Sequence, residues 1–326
     1  MTNYTLYAGT AGQSVWQSTD GGETFARKSA GLFMEAEVRA LTRHPNYSDT
    51  LYAGTDCGLF RLSPDSGTWE VIPTPFSSPN GFQNGTLIWS LLIHPQNPDV
   101  LFVGVCPAGI YRSLDGGNSW QKLAIPLEEN CPPIVYNRVT KLLADPDDAN
   151  TVWVGVEIDG LWRSRDLGES WERLSEGLSS QDLHDFAVVP GSPRTLLAST
   201  NNDLNLSNDE GKTWSTPKEV PTDLTGDRHV AIYTKTRKLF ITFRDTSKDS
   251  PTKGDWVAWL GKYDDIVNGR EGEKRFRLMK NHKGADCAYP GLERLPDGTL
   301  VTTTYGHWTP NEQPYIVSVR IRPNEL

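Results

Sequence analysis

The sequence predicts an all-β chain made of repeated four-stranded blades, and three observations carry that expectation. An eight-residue turn recurs at Ser18-Thr19-Asp20-Gly21-Gly22-Glu23-Thr24-Phe25, Ser113-Leu114-Asp115-Gly116-Gly117-Asn118-Ser119-Trp120, Ser164-Arg165-Asp166-Leu167-Gly168-Glu169-Ser170-Trp171 and Ser207-Asn208-Asp209-Glu210-Gly211-Lys212-Thr213-Trp214, with an eroded copy at Ser63-Pro64-Asp65-Ser66-Gly67-Thr68-Trp69. The copies lie roughly 43 to 51 residues apart, the length of one propeller blade. Two short apolar strands precede each copy, and helix signals are almost absent, with room for one short turn in Tyr263 to Glu273.

Each part of the repeat has a physical role. The Asp accepts hydrogen bonds from amides further along the turn. The Gly permits a positive φ where the chain reverses, and the terminal aromatic docks beneath the turn. The paired strands are Thr5 to Thr10, Thr50 to Thr55, Val100 to Gly104 and Thr151 to Gly155, followed by Val15 to Ser18, Leu59 to Leu62, Ile110 to Ser113 and Leu161 to Ser164. They are short, aromatic and β-branched, and Gly, Pro and Asp bound them. Upstream lie inner strands over Val38 to Arg43, Ile88 to Ile93, Val139 to Ala144 and His184 to Val189. His44-Pro45, His94-Pro95 and Asp145-Pro146 end three of them, because proline cannot continue a ladder. Together these give a single β-propeller over residues 1–326, seven blades favoured over six. Residues 1–217 form the blades with repeated turns and 218–326 the closing blades.

Composition narrows the function. With 32 basic and 41 acidic residues the formal charge is −9, which argues against nucleic acid or an anionic membrane as the main partner. No apolar run is long enough to span a bilayer. The start Met1-Thr2-Asn3-Tyr4-Thr5 has no signal-peptide pattern, so a cytoplasmic location is expected, with a secreted or periplasmic mature chain as the alternative. Cys57, Cys106, Cys131 and Cys287 show no CxxC pairing and suggest free thiols rather than zinc ligands. No cofactor or metal is expected, and the oligomeric state is not specified.

The repeated turn resembles the Asp-box, or BNR, hairpin, a family that spans sialidases, other glycosidases, sortilin-type receptors and photosystem assembly factors. The segment from Asp227 onward resembles the closing part of sialidase-like BNR proteins. The stretch Asp286-Cys287-Ala288-Tyr289-Pro290-Gly291-Leu292 carries this resemblance, with the turn at Asp297-Gly298 and the strand Thr302 to Tyr305. The resemblance implies that Tyr289 is a nucleophile and that Arg244, at the end of Lys238 to Asp245, grips a substrate carboxylate.

In such a propeller the inner-strand starts and the loops joining strands two and three open on one face, opposite the repeated turns. His229 and Glu157 are the expected proton partners of Tyr289. Arg39, Trp89, Arg138, His184, Arg228, Asp245, His307 and Trp308 complete the substrate-binding candidates. Arginine forks suit carboxylates, histidine shuttles protons, and Trp89 and Trp308 offer faces for sugars. The expectation is a glycoside hydrolase acting on a carboxylate-bearing sugar, with an oligosaccharide at the channel mouth. A uronate-eliminating polysaccharide lyase and a non-catalytic binding or assembly scaffold are the alternatives.

Overall fold

A computed structural model describes all residues except 1–3, 77–84, 129, 132–134, 202, 218 and 285 and the side chains of 130 and 131. The fold is all-β, a seven-bladed propeller. Blade 1 comprises Leu6–Gly9, Val15–Ser18 and Ala26–Arg27; blade 2, Val38–Arg43, Leu51–Thr55, Gly58–Leu62 and Trp69–Ile72; blade 3, Leu87–Ile93, Leu101–Cys106, Gly109–Ser113 and Gln121–Lys122. Blade 4 comprises Val139–Ala144, Val152–Val156, Gly160–Ser164 and Glu172–Arg173; blade 5, Leu183–Val189, Thr195–Thr200 and Leu204–Ser207. Blade 6 comprises Gly226–Tyr233, Leu239–Asp245, Trp256–Gly261 and Lys274–Met279; blade 7, Gly291–Arg294, Leu300–Gly306 and Tyr315–Ile321. Neighbouring strands pair antiparallel in chain order, and among the described residues one short α-helix, Tyr263–Val267, falls where the acidic stretch allowed one.

The chain divides into two compact units: Ala8–Trp16 with Arg27–Lys218, and Met1–Tyr7, Gln17–Ala26 and Glu219–Leu326. In the first, the core is a series of apolar layers between successive blades. Phe102 and Ile110 of blade 3, for example, pack on Val139, Val152, Val154 and Trp162 of blade 4. In blades 2, 3 and 4 a glycine near the end of the second strand is required by this packing. A Cβ on Gly54 would strike Ile88, one on Gly104 would strike Ser90 and Val139, and one on Gly155 would meet Phe186 at 3.0 Å. Absence of a side chain lets one blade's second strand lie against the next blade's inner strand.

The repeated turns are closed hydrogen-bond systems. Ser113 Oγ donates to Asp115 Oδ1 at 2.8 Å and accepts from Gly117 N at 2.8 Å, while Ser119 donates its amide to Oδ1 and its hydroxyl to Oδ2 at 2.8 and 2.6 Å. The turns at Asp20, Asp166 and Asp209 repeat these bonds. Gly117 takes φ 94°, as the reversal demands. In the eroded copy Ser66 replaces the carboxylate and bonds Thr68 Oγ1 at 2.7 Å. Trp120 and Trp171 bond back to their own turns at Gly117 O and Gly168 O, both 3.1 Å. Trp69 and Trp214 instead reach the preceding blade's outer segment, at Lys28 O and Leu174 O.

The strand ends also follow one scheme. His44 Nδ1 accepts from Asn46 N at 3.1 Å, His94 Nδ1 from Asn97 N at 3.1 Å, and Asp145 Oδ1 from Asp147 N at 2.9 Å. These residues cap the turn after the inner strand. Cys57, Cys106 and Cys287 are free thiols, and burial pushes those of Cys57 and Cys287 up to about 12.

Candidate functional site

The candidates at inner-strand starts owe their placement to a repeated irregularity. The register slips between Val38 and Ala40, Ile88 and Ser90, Val139 and Lys141, and Leu183 and Asp185, and again between Asp227 and Val230. The extra residues are therefore Arg39, Trp89, Thr140 and His184, then Arg228 with His229. A bulge leaves its residue out of the ladder and re-aims its side chain. Four of these blades lie in the first unit and blade 6 in the second.

In the first unit the bulges gather arginines and carboxylates around Trp89. The guanidinium carbons of Arg39 and Arg138 lie 4.8 and 4.2 Å from the Trp89 ring centroid, so cations rather than open space meet this ring. Arg39 pairs with Glu37 at 2.7 Å. Arg138 Nη2 donates to Glu157 Oε1 at 2.7 Å, and its Nε lies against Oε2. Glu157 is buried at the end of the blade 4 second strand. His184 Nε2 stands 3.3 Å from Asp182 Oδ1, and donor atoms of Glu157, Asp182 and His184 all lie within 4.8 Å of one another.

The second unit brings Tyr289 to the surface, 52% exposed. Arg228, with φ 60°, stacks on it at 3.6 Å from guanidinium carbon to ring centroid. Tyr305 stacks against the same residue, centroids 5.8 Å apart and planes at 16°. The Tyr305 hydroxyl donates to Asp286 Oδ1 at 2.7 Å, and burial followed by that carboxylate pushes its phenol well above the usual range. Arg244 chelates Asp227 through Nε, at 2.8 Å, and Nη2.

Several expected placements are corrected. The cation against Tyr289 is Arg228, because the bulge turns it there. Arg244 is taken up by Asp227, and its side chain is only 11% exposed, so it is no open fork for a carboxylate. His229 stacks on Phe243 with centroids 4.6 Å apart, and its Nε2 meets Leu224 O at 2.9 Å. Glu157 belongs to the other unit and pairs with Arg138. Asp245 is buried and holds Thr252 Oγ1 and Arg275 Nη2, each at 2.7 Å. Trp308 is buried against Trp256, and His307 is buried with Nε2 3.7 Å from Asp286 Oδ2. Neither offers a sugar-facing surface.

Asp182, Asp227 and Asp286 were missed by sequence reasoning. Each sits within three residues of a chosen candidate, and nothing local distinguishes it from the other surface carboxylates.

No family model matches the sequence. It is similar to the xyloglucanase Xgh74A of Acetivibrio thermocellus, 23% identical over 306 residues that cover 81% of this chain and 35% of that protein. It is 32% identical over 157 residues to an oligoxyloglucan-reducing end-specific xyloglucanase of Emericella nidulans, covering 45% and 18% of the two chains. The chain thus spans about a third of the first relative's length. Among solved structures, the GH74 xyloglucanase from Xanthomonas campestris superposes with TM-score 0.54 at 14% identity, over 98% of this chain and 47% of that one. YCF48 bound to D1 peptide gives 0.57 at 13% identity, over 98% and 94%. At such identities these structural likenesses establish the fold alone.

Proposed function

We propose that this chain is a glycoside hydrolase module directed at a neutral polysaccharide of the xyloglucan kind, with the Tyr289 surface as a sugar-binding site. The carrying observation is the half-exposed Tyr289 ring, stacked by Arg228 and Tyr305, with Asp286 bonded to Tyr305 and Asp227 next to Arg228 in the chain. A rigid aromatic with an apolar face suits the C–H side of a pyranose, and flanking carboxylates suit its hydroxyls. Both arginines here are engaged, Arg244 by Asp227 and Arg228 by the ring, which favours a neutral sugar over a carboxylate-bearing one. Glycosidic hydrolysis uses two carboxyl groups. Asp286 is the proton donor in this reading, being exposed and fixed through one oxygen by Tyr305, and Asp227, oriented by Arg244, is its partner. Tyr289 supplies a binding face. Similarity to the xyloglucanases supports the substrate class.

The test is release of reducing ends from xyloglucan by the wild type, Asp286→Asn and Tyr289→Ala. Loss of about 10²-fold or more in kcat for Asp286→Asn, as for a positioned proton donor, with raised KM for Tyr289→Ala, is expected. Absence of wild-type activity on xyloglucan and other β-glucans would reject the hydrolase reading. A second reading, a peptide-binding scaffold, is favoured by the near-complete overlap in extent with peptide-bound YCF48. Binding of extended peptides at Tyr289 without glycan affinity would select it.

A further inference from the structure

The carboxylates and imidazole at the junction of blades 4 and 5 have no place in the proposed hydrolysis. Glu157 directly follows the second strand of blade 4, Asp182 precedes the inner strand of blade 5, and His184 is the bulged residue of that strand. We infer that Glu157, Asp182 and His184 form a binding site for a divalent transition cation, with Zn²⁺ the best fit.

Three observations carry this. First, one donor atom from each residue lies within 4.8 Å of the other two. The 3.3 Å between His184 Nε2 and Asp182 Oδ1 is the separation of two ligands each about 2.0 Å from a tetrahedral ion. Secondly, that pair is close without bonding: Asp182 Oδ1 is buried and accepts no hydrogen bond. Glu157 Oε2 is buried against Arg138 Nε, its ion-pair partner, so Asp182 Oδ1 is the unsatisfied oxygen of the cluster. Buried carboxylate oxygens are normally satisfied, and an ion between these groups would satisfy Asp182 Oδ1. Thirdly, Arg138 bonds Glu157 Oε1, an outer contact of the kind that orients a ligating carboxylate. Two carboxylates and one arginine leave this cluster one negative charge, enough to attract a cation.

The donor set also limits the ion. One imidazole and two carboxylates resemble three-ligand zinc sites that keep a fourth position open. His184, its side chain 50% exposed, places that position towards solvent. An all-oxygen preference, as for Ca²⁺ or Mg²⁺, does not use the imidazole.

The experiment is calorimetric titration of Zn²⁺ into tag-free, chelator-stripped protein, with Co²⁺ absorption as a second readout. One site per chain is expected, with a thermal midpoint raised by several degrees at saturating Zn²⁺. Affinity should fall by at least about tenfold in His184→Ala and in Asp182→Asn. Both residues are partly exposed, so these variants should fold as the wild type does. Wild-type affinity in both variants would overturn the assignment, as would no Zn²⁺ binding or preference for Ca²⁺ or Mg²⁺ over Zn²⁺. The outcome is independent of glycan hydrolysis, which this site does not enter.

Discussion

Arg228 lies over Tyr289 with its guanidinium carbon 3.6 Å from the ring centroid, and it does so from a backbone at φ 60°. A long side chain in the left-handed region costs on the order of 1 kcal/mol. The bulge that imposes it is also what turns Arg228 towards the ring. Strain and placement therefore have one origin.

Arg228→Gly separates them. Glycine tolerates this φ, so stability should hold or rise slightly, by about 0.5 kcal/mol. Loss of the cation–π contact should loosen Tyr289 and raise KM for polysaccharide roughly threefold to tenfold with little change in kcat. Denaturant unfolding and steady-state kinetics read the two effects separately. A large loss of stability would show that Arg228 serves the fold instead.

Gly104 tests the blade interface. Its φ is ordinary, so only space forbids a side chain, and the space is filled by Ser90 and Val139. Gly104→Ala should destabilise the protein by about 1–3 kcal/mol through overpacking. The double variant Gly104→Ala with Val139→Ala should recover part of this loss. No recovery in chemical denaturation would mean that the clash is relieved elsewhere.

Ser113→Ala removes the buried hydroxyl that links Asp115 to Gly117 N. It leaves a buried amide unpaired, which costs about 1–3 kcal/mol. Activity per folded molecule should be unchanged, since the repeated turn touches none of the candidate groups. A stable but inactive variant would contradict this assignment.

Acid should loosen the repeated turns together. Hydrogen bonds from Ser119, Ser170 and Thr213 hold Asp115, Asp166 and Asp209 down to about 2, against an ordinary value of 3.8. A depressed folded value means that the contribution is complete above about pH 4 and lost as pH falls towards 2. The thermal midpoint should decline over that interval. Asp115→Asn, which cannot titrate, should show a shallower decline; an equal slope would place the acid-sensitive groups elsewhere.

Much of the fold was legible because its signals are local. Ser113, Asp115, Gly117 and Ser119 close their turn within a few residues, so spelling and structure coincide. His44, His94 and Asp145 read as strand ends for the same reason: the following proline stops the ladder and the side chain caps the turn. The bulges were not legible. One extra residue shifts pairing without leaving a Gly or Pro at the spot, so nothing local to Trp89 or His184, though both were site candidates, marks a bulge.

Turn chemistry and strand propensity act over short separations, so an all-β repeat of blades follows from the order of residues. The sequence also selected Tyr289, Arg228, Arg138, Glu157 and His184 as residues to watch. Tertiary structure alone decided their partners. Arg244 belongs to Asp227 rather than to a substrate, Trp89 lies against two guanidiniums, and Trp308 is sealed against Trp256. Such pairings join side chains from different strands, often from different blades. They depend on register and side-chain direction, quantities set by packing between strands and not by the residues next in line.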